Sequence, residues 1–97
     1  MAEDQQSSQI SDTVPALRRA VRILDLVSGS PRNLTAAELT RVLDLPKSTA
    51  HGLLAVMTEL DLLARSADGT LRIGAHSLRW ANGFLSQLDI VSAFNDH

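Results

Sequence analysis

Cysteine is absent from the chain, which excludes disulfides and thiolate zinc sites. The three histidines, His51, His76 and His97, stand 25 and 21 residues apart. Those gaps do not match metal-ligand spacing, so no metal site is expected. The five glycines are scattered, and there is no glycine-rich phosphate loop. No run approaches the roughly 18 apolar residues of a membrane span. The opening "MAEDQQSSQI" is acidic and polar, without the apolar centre of a secretory signal. The expectation is a cytoplasmic, soluble protein that uses no cofactor and does not engage a membrane.

Charge is present but unevenly spread. The formal net charge of -2 argues weakly against a nucleic-acid partner. Residues 1–13 carry Glu3, Asp4 and Asp12, and residues 75–97 carry Arg79 against Asp89 and Asp96. Between them, residues 14–74 hold eight Lys/Arg against six Asp/Glu, a net +2. A mildly basic centre between acidic ends permits phosphate binding without demanding it.

With 97 residues, one small domain is expected. Residues 1–13, rich in Gln and Ser, read as a disordered tail. "VPALRRAVRILDLVS" reads as a first helix over 14–28, with Pro15 in its first turn. Leu17, Ala20, Val21, Leu24 and Val27 share one face as its expected core stripe. Gly29 and Pro31 stop it. A second helix starts at Thr35, where Thr35 and Glu38 have the spacing of a capping box. Leu39, Val42 and Leu43 are its apolar stripe, and Asp44 and Pro46 end it, Asp being tolerant of a left-handed turn. A third helix is expected over 47–60. Its core stripe is Ala50, Leu53, Leu54, Met57 and Leu60, and Lys47, Ser48 and His51 form its outer first turn. Leu63 to Ile73 reads as a hairpin around the turn signal "ADG". A fourth helix follows over 75–88, with Leu78, Ala81, Leu85 and Leu88 in one stripe. A last turn is expected near "VSAFNDH". The fold class is therefore mainly α with a small β-hairpin, a winged helix-turn-helix (14–74) followed by a linker helix (75–88).

A helix-turn-helix reads DNA with the N-terminal residues of its second helix, which enter the major groove. Lys47 suits a phosphate as a point charge. Ser48 and Thr49 offer hydroxyls to phosphates or bases, and equally serve as plain helix caps. His51 stands one turn in, within reach of a base edge. Arg65 and Arg72 on the hairpin, and Arg18, Arg19 and Arg22 on the first helix, suit backbone phosphates, or are ordinary solvated arginines.

These segments together resemble the IclR family (isocitrate lyase regulator) of bacterial transcription factors. "ALRRAVRILDLVS" is similar to that family's first helix, and Thr35, Glu38 and Leu39 match its second. Leu45, Pro46, Lys47, Ser48, Thr49 and His51 match the start of its recognition helix, with Leu53 and Leu54 behind. "LRIG" matches the end of its wing and "HSLRWANGF" its linker helix. The resemblance covers about residues 14–90. It implies a regulator, repressor or activator, whose winged helix binds operator DNA as a homodimer. A small effector would bind a larger C-terminal domain that this chain lacks, residues 89–97 being its start. Two positions depart from the pattern. The family often has Arg where this chain has Gly52, a helix-weakening residue that lets a neighbour approach closely. It commonly has Gly where Asp44 stands, and the Asp charge faces phosphate less comfortably.

Two rival readings stand beside this one. A winged helix can pair with proteins instead of DNA, and the stripe of Leu78, Ala81 and Leu85 suits a dimer face. An enzyme is not expected. Ser48, His51 and Asp44 can be grouped as a triad, but Ser and His three apart on a helix surface have no cleft, and nothing orients His51.

Overall fold

The computed structural model describes residues 13–88. The tail expected over residues 1–12 and the turn and domain start expected over 89–97 lie outside the described residues. Within them the order is α1 (Pro15–Gly29), α2 (Ala36–Leu43), α3 (Lys47–Glu59), β1 (Leu63–Arg65), β2 (Leu71–Ile73) and α4 (His76–Gln87). This is a winged helix-turn-helix with a trailing helix, as the sequence predicts.

α1 begins at Pro15, where a missing N–H costs nothing. The residue before it, Val14, is left-handed at φ 46, a conformation that a β-branched side chain rarely adopts. The buried side chains of α1 are Ile23 and Val27, one turn apart. This corrects the expected stripe. Leu17 and Val21 are 62% and 50% exposed, so the helix is rolled to bring Ile23 inward. Ala20 and Leu24 pack at the margin of the core.

α2 carries the expected capping box. The Glu38 backbone N–H donates to Thr35 Oγ1 at 3.1 Å, and the Thr35 N–H donates to Glu38 Oε1 at 2.9 Å. Arg32 adds a two-pronged ion pair to the same carboxylate. Hydrogen bonds from Arg32, then from the Thr35 N–H, hold the Glu38 carboxyl down at about 2, from an ordinary 4.5.

α2 and α3 end in the same way. Asp44 is left-handed at φ 54 and Asp61 at φ 61. The Asp44 N–H donates to Arg41 O at 3.2 Å and the Leu45 N–H to Thr40 O at 3.3 Å. At the second site the Asp61 N–H donates to Thr58 O at 3.1 Å and the Leu62 N–H to Met57 O at 2.9 Å. These paired bonds are Schellman closures, normally built on glycine. In both, the following leucine, Leu45 or Leu62, packs against the core. Because α3 closes here, Leu60 leaves the helical stripe and is exposed, against expectation. Ala50, Leu54 and Met57 are buried as expected, with Leu53 half-buried.

The wing is antiparallel, pairing Leu63 with Ile73 and Arg65 with Leu71. Its three-residue loop turns at Gly69, φ 86, with the Gly69 N–H on Ser66 O and the Ser66 N–H on Thr70 O. Asp68 accepts from the Thr70 hydroxyl and N–H, which lowers the pKa of its carboxyl. Leu71 also donates its N–H to Leu34 O at 2.8 Å, adding a one-residue third strand that the sequence did not announce. The core is Ile23, Val27, Leu39, Leu43, Ala50, Leu54, Met57, Leu63 and Leu71, and among the described residues no polar side chain is buried with them. Among the described residues, no helix is long and apolar enough to cross a membrane.

After β2 the chain folds back on the end of α3. The Gly74 N–H donates to Leu62 O at 2.9 Å, and the His76 N–H to Asp61 O at 3.0 Å. The approach is so close that a Cβ on Gly74 would lie 2.1 Å from the Asp61 carbonyl oxygen. Gly74→Ala must therefore move backbone, and the expected loss is about 2–3 kcal/mol of stability. Urea denaturation followed by circular dichroism checks this; an unchanged midpoint would show that the contact carries no stability.

The Glu38 carboxyl gives a pH prediction with a fixed sign. Its folded pKa is depressed, so its contribution is complete above about 4.5 and lost as pH falls toward about 2. Glu38→Gln should flatten the fall in melting temperature across that window. Superimposable wild-type and variant profiles there would show that the ion pair and cap add nothing.

Candidate nucleic-acid interface

α3 presents two chemistries on one helix. Leu54 and Met57 hold it in the hydrophobic core, with Ala50 buried beside them. Its first turn instead leaves Lys47, Ser48, Thr49 and His51 exposed. The N-cap is Pro46, which offers no side-chain hydrogen bond. Neither Ser48 nor Thr49 therefore caps the helix, and the plainer role considered for them falls away. Ala50 is the first residue of the turn whose N–H finds an internal acceptor, Pro46 O at 3.0 Å. The amides of Lys47, Ser48 and Thr49 belong to the group that a helix leaves free at its start, which favours an anion.

Beside this turn lies a groove of about 590 Å³ between α2 and α3, with Arg65 of the wing at its edge. Ala36, Ala37, Leu45, Leu54 and Ala55 supply its apolar lining. Arg41, Lys47, His51 and Arg65 bring basic groups, and Asp44 stands among them. The structure thus gathers three of the expected residues, Lys47, His51 and Arg65, around one concavity. Arg41 lines the same groove, although the sequence gives no local sign of it. Its place is set by the Ala37 to Asp44 face of α2, a signal visible only once the roll of α2 against α3 is known.

The other basic residues lie elsewhere. Arg72 pairs with Ala64 in the ladder, whereas Arg65 pairs with Leu71. Adjacent ladder positions face opposite sides of a hairpin, so the two wing arginines do not act on one surface. Arg22 is exposed and Arg19 half-buried on α1, and neither lines the groove. Arg18 donates from Nε to Thr13 O at 2.9 Å.

Gly52 has nothing within 4 Å of where a Cβ would sit. The expectation that it admits a close neighbour is not met; the position is open. Ser48, His51 and Asp44 form no hydrogen-bonded relay among the described residues. No cluster of three or more His, Asp or Glu is placed to hold a metal there.

α4 has no buried residue. It is anchored at its start, where His76 Nδ1 lies 3.0 Å from Leu60 O and the imidazole meets the Trp80 ring at 4.6 Å. Leu78, Ala81 and Leu85 remain exposed, with Trp80 and Phe84 beside them.

Comparison with known proteins places this geometry. The model of the IclR helix-turn-helix domain matches residues 16–67. The chain is 90% identical to the Agobacterium tumefaciens repressor BlcR over 92% of its own length and 36% of that chain, with a TM-score of 0.74. The fold is also that of the Thermotoga maritima IclR, at 22% identity and TM-score 0.74, covering 86% of this chain and 34% of that one. A glycerol operon regulatory protein of Streptomyces griseus is 33% identical over 74% of this chain and 29% of its own length. The chain thus spans about a third of the length of the relatives it matches. It belongs to the IclR family, and residues 16–67 are that family's helix-turn-helix, a DNA-binding domain of transcriptional regulators.

Proposed function

We propose that this chain is the operator-reading part of a bacterial repressor that acts in the cytoplasm as a homodimer. Residues 14–74 form the reading domain and 75–88 the dimerising linker helix. A small-molecule effector would act through a further domain of the kind that makes up the rest of its longer relatives. One observation carries the reading: the first turn of α3 is polar, exposed and uncapped, while the same helix is fixed in the core by Leu54 and Met57. A helix held in that way can enter a major groove without losing its packing. Lys47 takes a phosphate, and Ser48, Thr49 and His51 meet base edges or flanking phosphates. Arg65 and Arg72, on the two sides of the wing, and Arg19 and Arg22, on α1, add backbone contacts. The name of one relative, a repressor, supports repression, and two operon regulatory proteins support transcriptional control more broadly.

Selection of bound duplexes from a random pool, followed by salt titration, tests this. A palindromic site is expected, with affinity falling steeply as salt rises. Lys47→Ala should weaken binding to every sequence alike, whereas Ser48→Ala or His51→Ala should relax preference at one base position. No enrichment and no salt-sensitive binding would leave a protein-pairing module instead.

Dimerisation has separate support. Leu78, Phe84 and Leu85 on α4 are 63%, 62% and 51% exposed, and Leu17 and Val21 on α1 add to the uncovered apolar surface. Apolar area of this kind marks a protein contact. Leu78→Asp or Leu85→Asp should give monomers without unfolding, since neither side chain is in the core. A sedimentation profile unchanged by either substitution would remove α4 from the interface.

A further inference from the structure

The groove between α2 and α3 contains a charge arrangement that the recognition turn does not explain. Arg41 and Asp44 sit on its α2 wall, Lys47 on its α3 wall and Arg65 at its wing end. Three permanent cations face one carboxylate, a net +2 in one concavity. Among the described residues the one ion pair is Arg32 with Glu38 of the capping box; Arg41 has no carboxylate partner. We propose that this groove seats a phosphate of the bound DNA strand, with Arg41 as a cationic contact beyond Lys47 and Arg65, and Asp44 as the opposing charge that holds the seat's affinity down. This rests on the DNA reading of α3.

Two features support the seat, and a third opposes it. Part of the lining is small and apolar, Ala36, Ala37 and Ala55, so a strand can come close. The uncapped N–H groups of α3 open beside Lys47. Asp44 cannot swing out of the way by altering its backbone, because its left-handed conformation closes α2. Its carboxylate lines the same groove as Arg41 and Lys47, where it competes with an incoming phosphate and adds to the negative end of the α2 dipole. One residue serves the turn and opposes the ligand. Asn satisfies the same left-handed geometry without the charge, which separates the two effects.

The test measures anisotropy of a labelled selected duplex and of a scrambled one, across a salt series, for the full chain and four variants. Arg41→Ala should bind both duplexes on the order of tenfold more weakly, with the slope of log K against log salt shallower by about 0.9. Arg41→Lys should recover most of that slope. Asp44→Asn should bind both duplexes about three- to fivefold more tightly, with an unchanged melting temperature and unchanged preference between the duplexes. Lys47→Ala is the control for α3. Arg41→Ala and Asp44→Asn matching wild type, while Lys47→Ala weakens binding, would overturn the groove seat and leave the reading of α3 standing. Wild type binding neither duplex at low salt would overturn both.

Discussion

Three consecutive carbonyls at the end of α3 hold the parts of this molecule in register. Leu60 O faces the imidazole of His76, Asp61 O accepts the His76 N–H, and Leu62 O accepts the Gly74 N–H. They are available because α3 stops in a left-handed residue, which turns these groups away from the helix axis. Without that closure the wing would have no fixed base and α4 no fixed start. Gly74 is the cost of the arrangement: only a residue without Cβ can lie against the Asp61 peptide. The direction of α4, and with it the placement of its apolar face, therefore depends on a few backbone bonds rather than on buried side chains of its own.

A core of nine small and medium apolar residues contains no polar side chain among the described residues. Function then depends on which surface groups the helix ends bring together. The Thr35 cap sets where α2 begins and Asp44 where it ends. Between them they fix which α2 side chains, Ala37, Arg41 and Asp44, look into the groove. The same economy explains why the turn between α2 and α3 is so short. Asp44 and Leu45 close one helix, and Pro46 stands directly before the next.

Much of this was legible in the sequence because the signals were local. The capping box needs only Thr35 and Glu38 at the right spacing. The left-handed turn needs a tolerant residue before Leu45, and the wing needs the Asp-Gly pair. What misled was the roll of α1. That helix is apolar on more than one side, with Leu17, Val21 and Leu24 along one line and Ile23 and Val27 along another. Periodicity shows that stripes exist, but not which one meets the wing and α3. Leu60 departs from the expected stripe for a related reason: the regular spacing continues one residue past Glu59, where the helix ends before the left-handed Asp61. The Leu34 to Leu71 bridge and Arg41 depend on contacts between elements far apart or on the relative roll of two helices. Neither leaves a pattern within one segment.

The recognition turn has few means of gaining affinity. Lys47 is its one permanent cation, and Gly52, open on all sides, contributes no side chain where an arginine would reach outward. Hydroxyls and an imidazole discriminate among bases but contribute little counterion release, which dominates binding to DNA. A single copy of such a domain, in a chain of net charge -2, is therefore suited to weak binding. In the homodimer proposed above, coupling two copies through the uncovered faces of α1 and α4 would make the second half-site contact intramolecular, raising its effective concentration without any new contact to DNA. On this account the apolar surface left exposed on α4 and the sparse charge of α3 are two sides of one arrangement. In that proposed dimer each reading head would be weak enough that a stable complex requires both, and the direction of α4, set at the end of α3 by Asp61 and Gly74, would become part of how an operator is recognised.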